Sequence, residues 1–206
     1  MATDTTAQPD AALAGDAPLS EAQADALVRK LDKEADTRRL SGGTGRFFFV
    51  ACLLVTAYHL YTAAFGPPAT LVHRSLHVAM ISALGFLMYP FGSRSDRTRP
   101  SALDWLLALL SFAVPFYIWY DYQGVVSRAG APSRLDVGMA TLLVVLVLES
   151  ARRITGKALV ILSLIFIAYG LYGRSFPGMF MHRGYDWASL SNHFFANTEG
   201  IYGTSV

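Results

Sequence analysis

Charge is scarce in this sequence. Only 16% of its 206 residues are Asp, Glu, Lys or Arg, against ~25% in an ordinary soluble domain, while 53% are hydrophobic. A soluble domain of this length could not hide so much apolar surface from water. A single cysteine, Cys52, excludes an intramolecular disulfide and any cysteine-based metal cluster. It lies inside an apolar run, where a thiol reads as a small hydrophobe. No phosphate-binding glycine loop and no nucleic-acid motif is present, and the net charge of +2 argues neither for nor against nucleic acid. The first ~40 residues are polar, so no cleavable signal peptide is expected, and the first apolar run serves as the insertion signal.

What is there is a series of long apolar runs. Residues 135–173 hold two of them, Val137–Leu148 and Ala158–Leu171, separated by Glu149, Arg152, Arg153, Gly156 and Lys157. With its flanks each run is about 18 residues, or roughly 27 Å of helix at ~1.5 Å per residue, close to the hydrocarbon thickness of a bilayer. The charged segment between them suits water or headgroups, because an ionisable residue at the centre of a membrane helix costs roughly 2.5–3.5 kcal/mol. Arg46–Phe65, Leu71–Phe91 and Leu103–Tyr120 are three further spans, the first closed by Pro67-Pro68 and the third expected to kink at Pro115. Asp121–Arg134, with Gly124, Gly130 and Pro132, reads as a loop.

The fold class expected is therefore an all-α integral membrane protein of about five transmembrane helices. Residues 1–18 read as a disordered tail and residues 19–45 as a cytoplasmic amphipathic helix. In that helix Ser20 is the N-cap, Gln23 takes the capping-box position, Leu27, Val28 and Leu31 share a face, and Ser41-Gly42-Gly43 ends it. Twelve of the seventeen Lys and Arg fall on one side of these spans, among them Arg38, Arg39, Arg94, Arg97, Arg99, Arg152, Arg153 and Lys157, which predicts N-in and C-out. Tyr58, Tyr61, Trp119, Tyr120 and Tyr172 gather at the opposite ends, as an interfacial aromatic belt would.

Several side chains invite chemistry. His59 and His77 lie at similar depth on adjacent antiparallel spans, so a haem-b-carrying membrane anchor with bis-histidine ligation is one reading. His73 and His77, four apart, share a helix face, but no acidic third ligand for zinc accompanies them. Glu149 reaches Arg152 or Arg153 at helical spacing; this trio is either a domain-interface lock or a topology anchor. Asp104, Asp121 and Asp136 fall at span ends, where carboxylates are expected to remain wet. Asp186, Ser191, His193 and Glu199 are close in sequence, yet nothing orients a nucleophile or supplies an oxyanion site, so no catalytic residue, cofactor or metal ligand is assigned and no enzyme is expected. Asp186–Asn197 reads as a short helix on the outer membrane surface with Trp187, Leu190 and Phe194 toward lipid.

Six motifs stand in order along the chain: LDKEADTRRLSG (Leu31–Gly42), LYTAAFGP (Leu60–Pro67), RAGAP (Arg128–Pro132), LVLESARRITG (Leu146–Gly156), HRGY (His182–Tyr185) and NTEGIYG (Asn197–Gly203). In this order and spacing they resemble the N-terminal part of fused permeases of tripartite ATP-independent periplasmic (TRAP) transporters of the TAXI type. The resemblance implies a small four-helix membrane domain at 46–151, a connecting transmembrane helix at 152–173 and a periplasmic segment, 174–206, that begins the large domain. It further implies sodium-driven uptake of organic anions across the bacterial inner membrane. The implied partners are a large permease domain or subunit, a periplasmic TAXI-type solute-binding protein and membrane lipids. In that family the substrate and sodium sites belong to the large domain, about where this sequence ends at Gly203-Thr204-Ser205-Val206. A fragment, a frame-disrupted product and a separately encoded small subunit are all compatible with that.

Overall fold

A computed structural model describes residues 20, 23, 37–92, 95–197 and 199–203. Among these the regular structure is helical, with no strand. The order is α1 (Gly42–Phe65), α2 (Thr70–Met88), α3 (Ala102–Ser111), α4 (Ala113–Tyr120), α5 (Tyr122–Ser127), α6 (Arg134–Ile154), α7 (Lys157–Tyr172) and α8 (Trp187–Ala196). Two 3₁₀ turns, Gly173–Ser175 and Gly178–Phe180, precede α8. Four stretches are long and apolar enough to cross a membrane: Gly42–Phe65, Thr70–Met88, Ala102–Tyr120 and Lys157–Ser175. The fourth span expected from sequence, α6, is not among them, because Asp136, Glu149, Arg152 and Arg153 sit within its 21 residues.

Most boundaries follow local chemistry. Ser101 and Ser133 each cap a helix, and in both capping boxes the third helical residue is an aspartate that bonds back to the cap, Asp104 for α3 and Asp136 for α6. Gly156, at φ +95°, makes the turn from α6 to α7 that a side chain would strain. Pro115 has no amide hydrogen for the carbonyl of Ser111, and the third span breaks into α3 and α4 at Phe112.

Two expectations change, and a third falls largely outside the described residues. Ser41-Gly42-Gly43 does not end a helix; Gly42 and Gly43 open α1, while residues 37–41 are not helical. Of the amphipathic helix at 19–45, Ser20 and Gln23 make the reciprocal bonds of a capping box, at 3.1 and 3.4 Å, and residues 24–36 lie outside the described residues. The loop at 121–134 contains α5, because the Asp121 carbonyl accepts from Val125 N at 2.9 Å and the helical path continues past Tyr120.

The core lies between α2, α3–α4 and α6. One cluster holds Leu71, Val114, Tyr117, Ile118, Val125, Ala140 and Leu143; a second holds Ala83, Phe86, Leu87, Ala108 and Leu146. α1 packs on α2 alone among the helices with extensive contacts and buries only Thr62, and α7 buries none of its residues. In water two such apolar helices would be an aggregation hazard; in lipid tails their exposure carries no penalty.

The segment after α7 departs most from expectation. α8 forms, but it packs against α6 and α7 rather than lying with its apolar side in lipid. Phe195 and Ser191 are fully buried, and Phe195 stacks on Tyr117 at 6.2 Å between centroids. Trp187 Nε1 donates to Thr141 Oγ1 of α6 at 3.0 Å, so it faces protein. Leu190 and Phe194 line a groove with Val144, Val147 and Phe166. Periodicity found the helix; its burying face was set by its neighbours, with Phe195 seated against Tyr117 of α4 and Trp187 bonded to Thr141 of α6.

Candidate functional site

Two aspartate–arginine ties hold the ends of this bundle, one at each end. The first centres on Asp104, which is fully buried at the N-terminus of α3. Arg38 Nη2 donates to its Oδ2 at 2.7 Å and Arg153 Nη1 to its Oδ1 at 2.5 Å, and both arginine side chains are fully buried. Ser101 adds its amide at 2.7 Å and its hydroxyl at 2.8 Å, both to Oδ2. The arginines have further work. Arg38 Nη1 donates to the carbonyls of Phe86 and Leu87 at 3.1 and 2.9 Å, and Arg153 Nη1 to that of Tyr89 at 3.2 Å. These carbonyls close α2. Cations therefore meet the negative end of the α2 dipole while the carboxylate meets the positive end of α3.

Glu149 extends the cluster along α6. Arg152 grips both its oxygens, at 2.7 and 2.8 Å, and Arg153 Nε donates to Oε1 at 2.8 Å. Arg152 also donates to the Phe91 carbonyl at 3.0 Å and lies 4.6 Å from the Phe91 ring centroid. Arg153 Nη2 has no hydrogen-bond partner; the guanidinium stacks instead on Phe86, 5.0 Å from its centroid.

The second tie centres on Asp136 at the N-terminus of α6, 4% exposed. It accepts from Tyr117 Oη at 2.6 Å, from Arg128 Nε at 2.8 Å and from the Ser133 amide at 2.8 Å. Arg128 also donates to Asp121 Oδ2 at 2.8 Å. The hydrogen bonds that it donates to Asp136 and Asp121 hold the Arg128 guanidinium further toward its charged form than an isolated arginine. α3 and α6 run antiparallel, so the two ties sit at opposite ends of the bundle.

The expected trio is thus only partly at a surface. Glu149 and Arg152 remain part-exposed, at 19% and 27%, whereas Arg153 points inward to Asp104. The expectation that Asp104 and Asp136 stay wet is overturned: each caps its own helix and meets arginines from other segments, which offsets the loss of water. Arg38, expected among the inner-side cations of the amphipathic helix at 19–45, is a core residue. One signal could have revealed this. Pro-Ser-x-Leu-Asp occurs twice, at 100–104 and 132–136, and each copy opens a helix with a buried carboxylate.

The histidines form a separate cluster where α1 meets α2. His59 Nε2 lies 2.6 Å from His77 Nδ1, and His59 Nδ1 lies 2.7 Å from the Val55 carbonyl. A carbonyl only accepts, so Nδ1–H of His59 donates to it, and in a neutral pair Nε2 accepts from His77. Tyr58 Oη and His73 Nδ1 share a bond at 2.9 Å. The depth match expected for His59 and His77 is present, but a haem iron would stand between the two nitrogens with its macrocycle around it. Imidazoles in direct hydrogen-bond contact leave no such gap, so this arrangement does not fit bis-histidine haem. Among the described residues no group of three His, Cys, Asp or Glu side chains is placed to hold a metal ion.

No family model, no curated protein and no solved structure matches the chain.

Proposed function

We propose that the chain is the small membrane domain of a TRAP-type permease of the TAXI class, a structural part that braces a large translocating domain during sodium-driven uptake of organic anions. One observation carries the reading: the motifs behind the family resemblance supply the residues that tie the bundle together. Arg38 belongs to LDKEADTRRLSG and Arg153 to LVLESARRITG, and the two converge on one carboxylate, Asp104. Arg128 of RAGAP holds Asp121 and Asp136, and Tyr202 of NTEGIYG is buried in the core. Motifs spent on rigidity suit a brace better than a translocation path.

In this reading there are five spans, with α6 as the fourth. Its 21 residues reach ~31 Å at ~1.5 Å per residue, and its charges lie near its two ends, where Asp136 pairs with Arg128 and Glu149 with Arg152. The N-terminus is cytoplasmic and the C-terminal segment periplasmic, in the inner membrane of a bacterium. Partners are the large permease domain or subunit, the solute-binding protein and lipid; Glu149 and Arg152, still reachable, are the interface residues. The chain by itself neither catalyses nor transports.

The test is mild-detergent purification from the native membrane, with mass spectrometry of what accompanies the chain. A large hydrophobic permease subunit, lost in Arg152→Glu, is the expected result. Recovery of the chain alone under conditions that preserve known membrane complexes would count against the proposal.

A further inference from the structure

Tyr202 is fully buried, and its hydroxyl has no hydrogen-bond partner. Its backbone is held in place. Arg74 Nη1 donates to the Tyr202 carbonyl at 2.9 Å, and Ile201 N donates to the Phe194 carbonyl at 3.2 Å. The ring is thus directed inward, where Tyr202 lines a cavity of about 10 Å³ together with Ser75 and Ser82 of α2, Ser111 at the end of α3, and Pro115.

Most of the lining is apolar, and Ser75, Ser82, Ser111 and Tyr202 are its polar residues. Ser75 Oγ donates to the Val72 carbonyl and Ser111 Oγ to the Leu107 carbonyl, each at 2.9 Å, so both oxygens keep lone pairs to offer. Pro115 cannot donate to the Ser111 carbonyl, which adds an acceptor at the same break. Burial pushes the Tyr202 hydroxyl pKa upward, so the group is a neutral O–H that needs an acceptor.

We propose that this cavity is a binding site for one internal water molecule, which bridges the Tyr202 hydroxyl to the serine oxygens at the α3–α4 break. A cavity of this volume corresponds to roughly one water sphere, and an internal water needs 2–4 polar partners, which the lining supplies. A small cation of similar size fits worse. No carboxylate lines the cavity to compensate its charge, and a cation cannot accept the tyrosine proton. The bridge fastens residues 199–203 to the point where the third span is broken, so docking of that segment and the shape of the break become linked.

The sign of a stability change tests this. In the full chain in lipid nanodiscs, Tyr202→Phe and Ser111→Ala should each lower the apparent melting temperature by roughly 2–4 °C, and the double variant should fall by less than their sum. An unchanged or raised value in Tyr202→Phe would mean that the hydroxyl is unpaired, and overturns the proposal. Fully additive losses overturn it too, since no shared molecule is then involved. A rise on replacing choline chloride by sodium chloride that Tyr202→Phe abolishes would overturn it in favour of a cation. Should Tyr202→Phe not accumulate, a high-resolution map of the wild-type chain decides: a peak within hydrogen-bond reach of both Tyr202 Oη and a serine oxygen is expected, and an empty cavity refutes the site.

Discussion

Arg38 and Arg153 donate to opposite oxygens of one carboxylate, Asp104 Oδ2 at 2.7 Å and Oδ1 at 2.5 Å, from segments more than a hundred residues apart in the chain. Each alone would leave Asp104 half satisfied. Together with Ser101 they join the segment before α1, the end of α2, the start of α3 and the end of α6 at a single point.

Breaking this point should be costly. Asp104→Asn leaves the buried Arg38 guanidinium without its carboxylate and Arg153 with Glu149 alone, and one-sided loss of a buried pair costs roughly 3–5 kcal/mol. We expect poor accumulation in the membrane or a clearly lowered melting temperature. Arg153→Met combined with Asp104→Asn should cost less than the sum of the two, because the second change removes a charge that the first has stranded. Additive losses in a double-mutant cycle would show that the tie does not act as a unit.

At the other end the two carboxylates on Arg128 are not equal. Asp136 is buried and caps α6, whereas the Asp121 side chain is 38% exposed. Asp136→Asn should therefore destabilise by roughly 1.5–3 kcal/mol. Asp121→Asn should have a much smaller effect that fades in high salt, as exposed pairs do. Equal effects in thermal unfolding would contradict this assignment.

Docking of α8 against α6 and α7 rests on Phe195. Truncating a fully buried phenylalanine to alanine costs roughly 3–5 kcal/mol, more than a short helix can recover elsewhere. In sealed vesicles Phe195→Ala should make residues 174–203 accessible to protease, while Leu190→Ala, at the edge of the packed face, should do so less. A segment that is cut equally in both variants and in the wild type would mean that it lies free on the surface.

Haem offers a spectroscopic check. The purified chain mixed with haem b should give no Soret band of bis-histidine type, because His59 and His77 occupy each other's ring nitrogens. A stable red complex lost in His59→Ala would require the two helices to separate, and would revive the anchor reading.

Topology is testable with single cysteines. On a Cys52→Ser background, cysteines at Ser95 and Thr155 should be labelled from one side of the membrane, and those at Ser127 and Ser175 from the other. Labelling of Ser127 and Thr155 from the same side would show that α6 does not cross.

Most of the helices were legible in the linear sequence, since their lengths, apolar content and caps depend on neighbours within a few residues; α5 and the start of α1 were not. Lys157–Tyr172 with Gly156 before it, the break forced by Pro115 and the facing of His59 toward His77 were all legible in this way. It did not determine which face of each helix is inside. The apolar composition runs around α1 and α7 alike, so periodicity carries no direction there, and in α8 it pointed to the wrong face. Nor could it pair distant charges. Asp104 and Asp136 look like wet helix-end carboxylates until arginines from residues 38, 128 and 153 are brought to them. That pairing comes from the packed bundle, because the favourable energy of such a pair exists only when several segments surrender water at the same place.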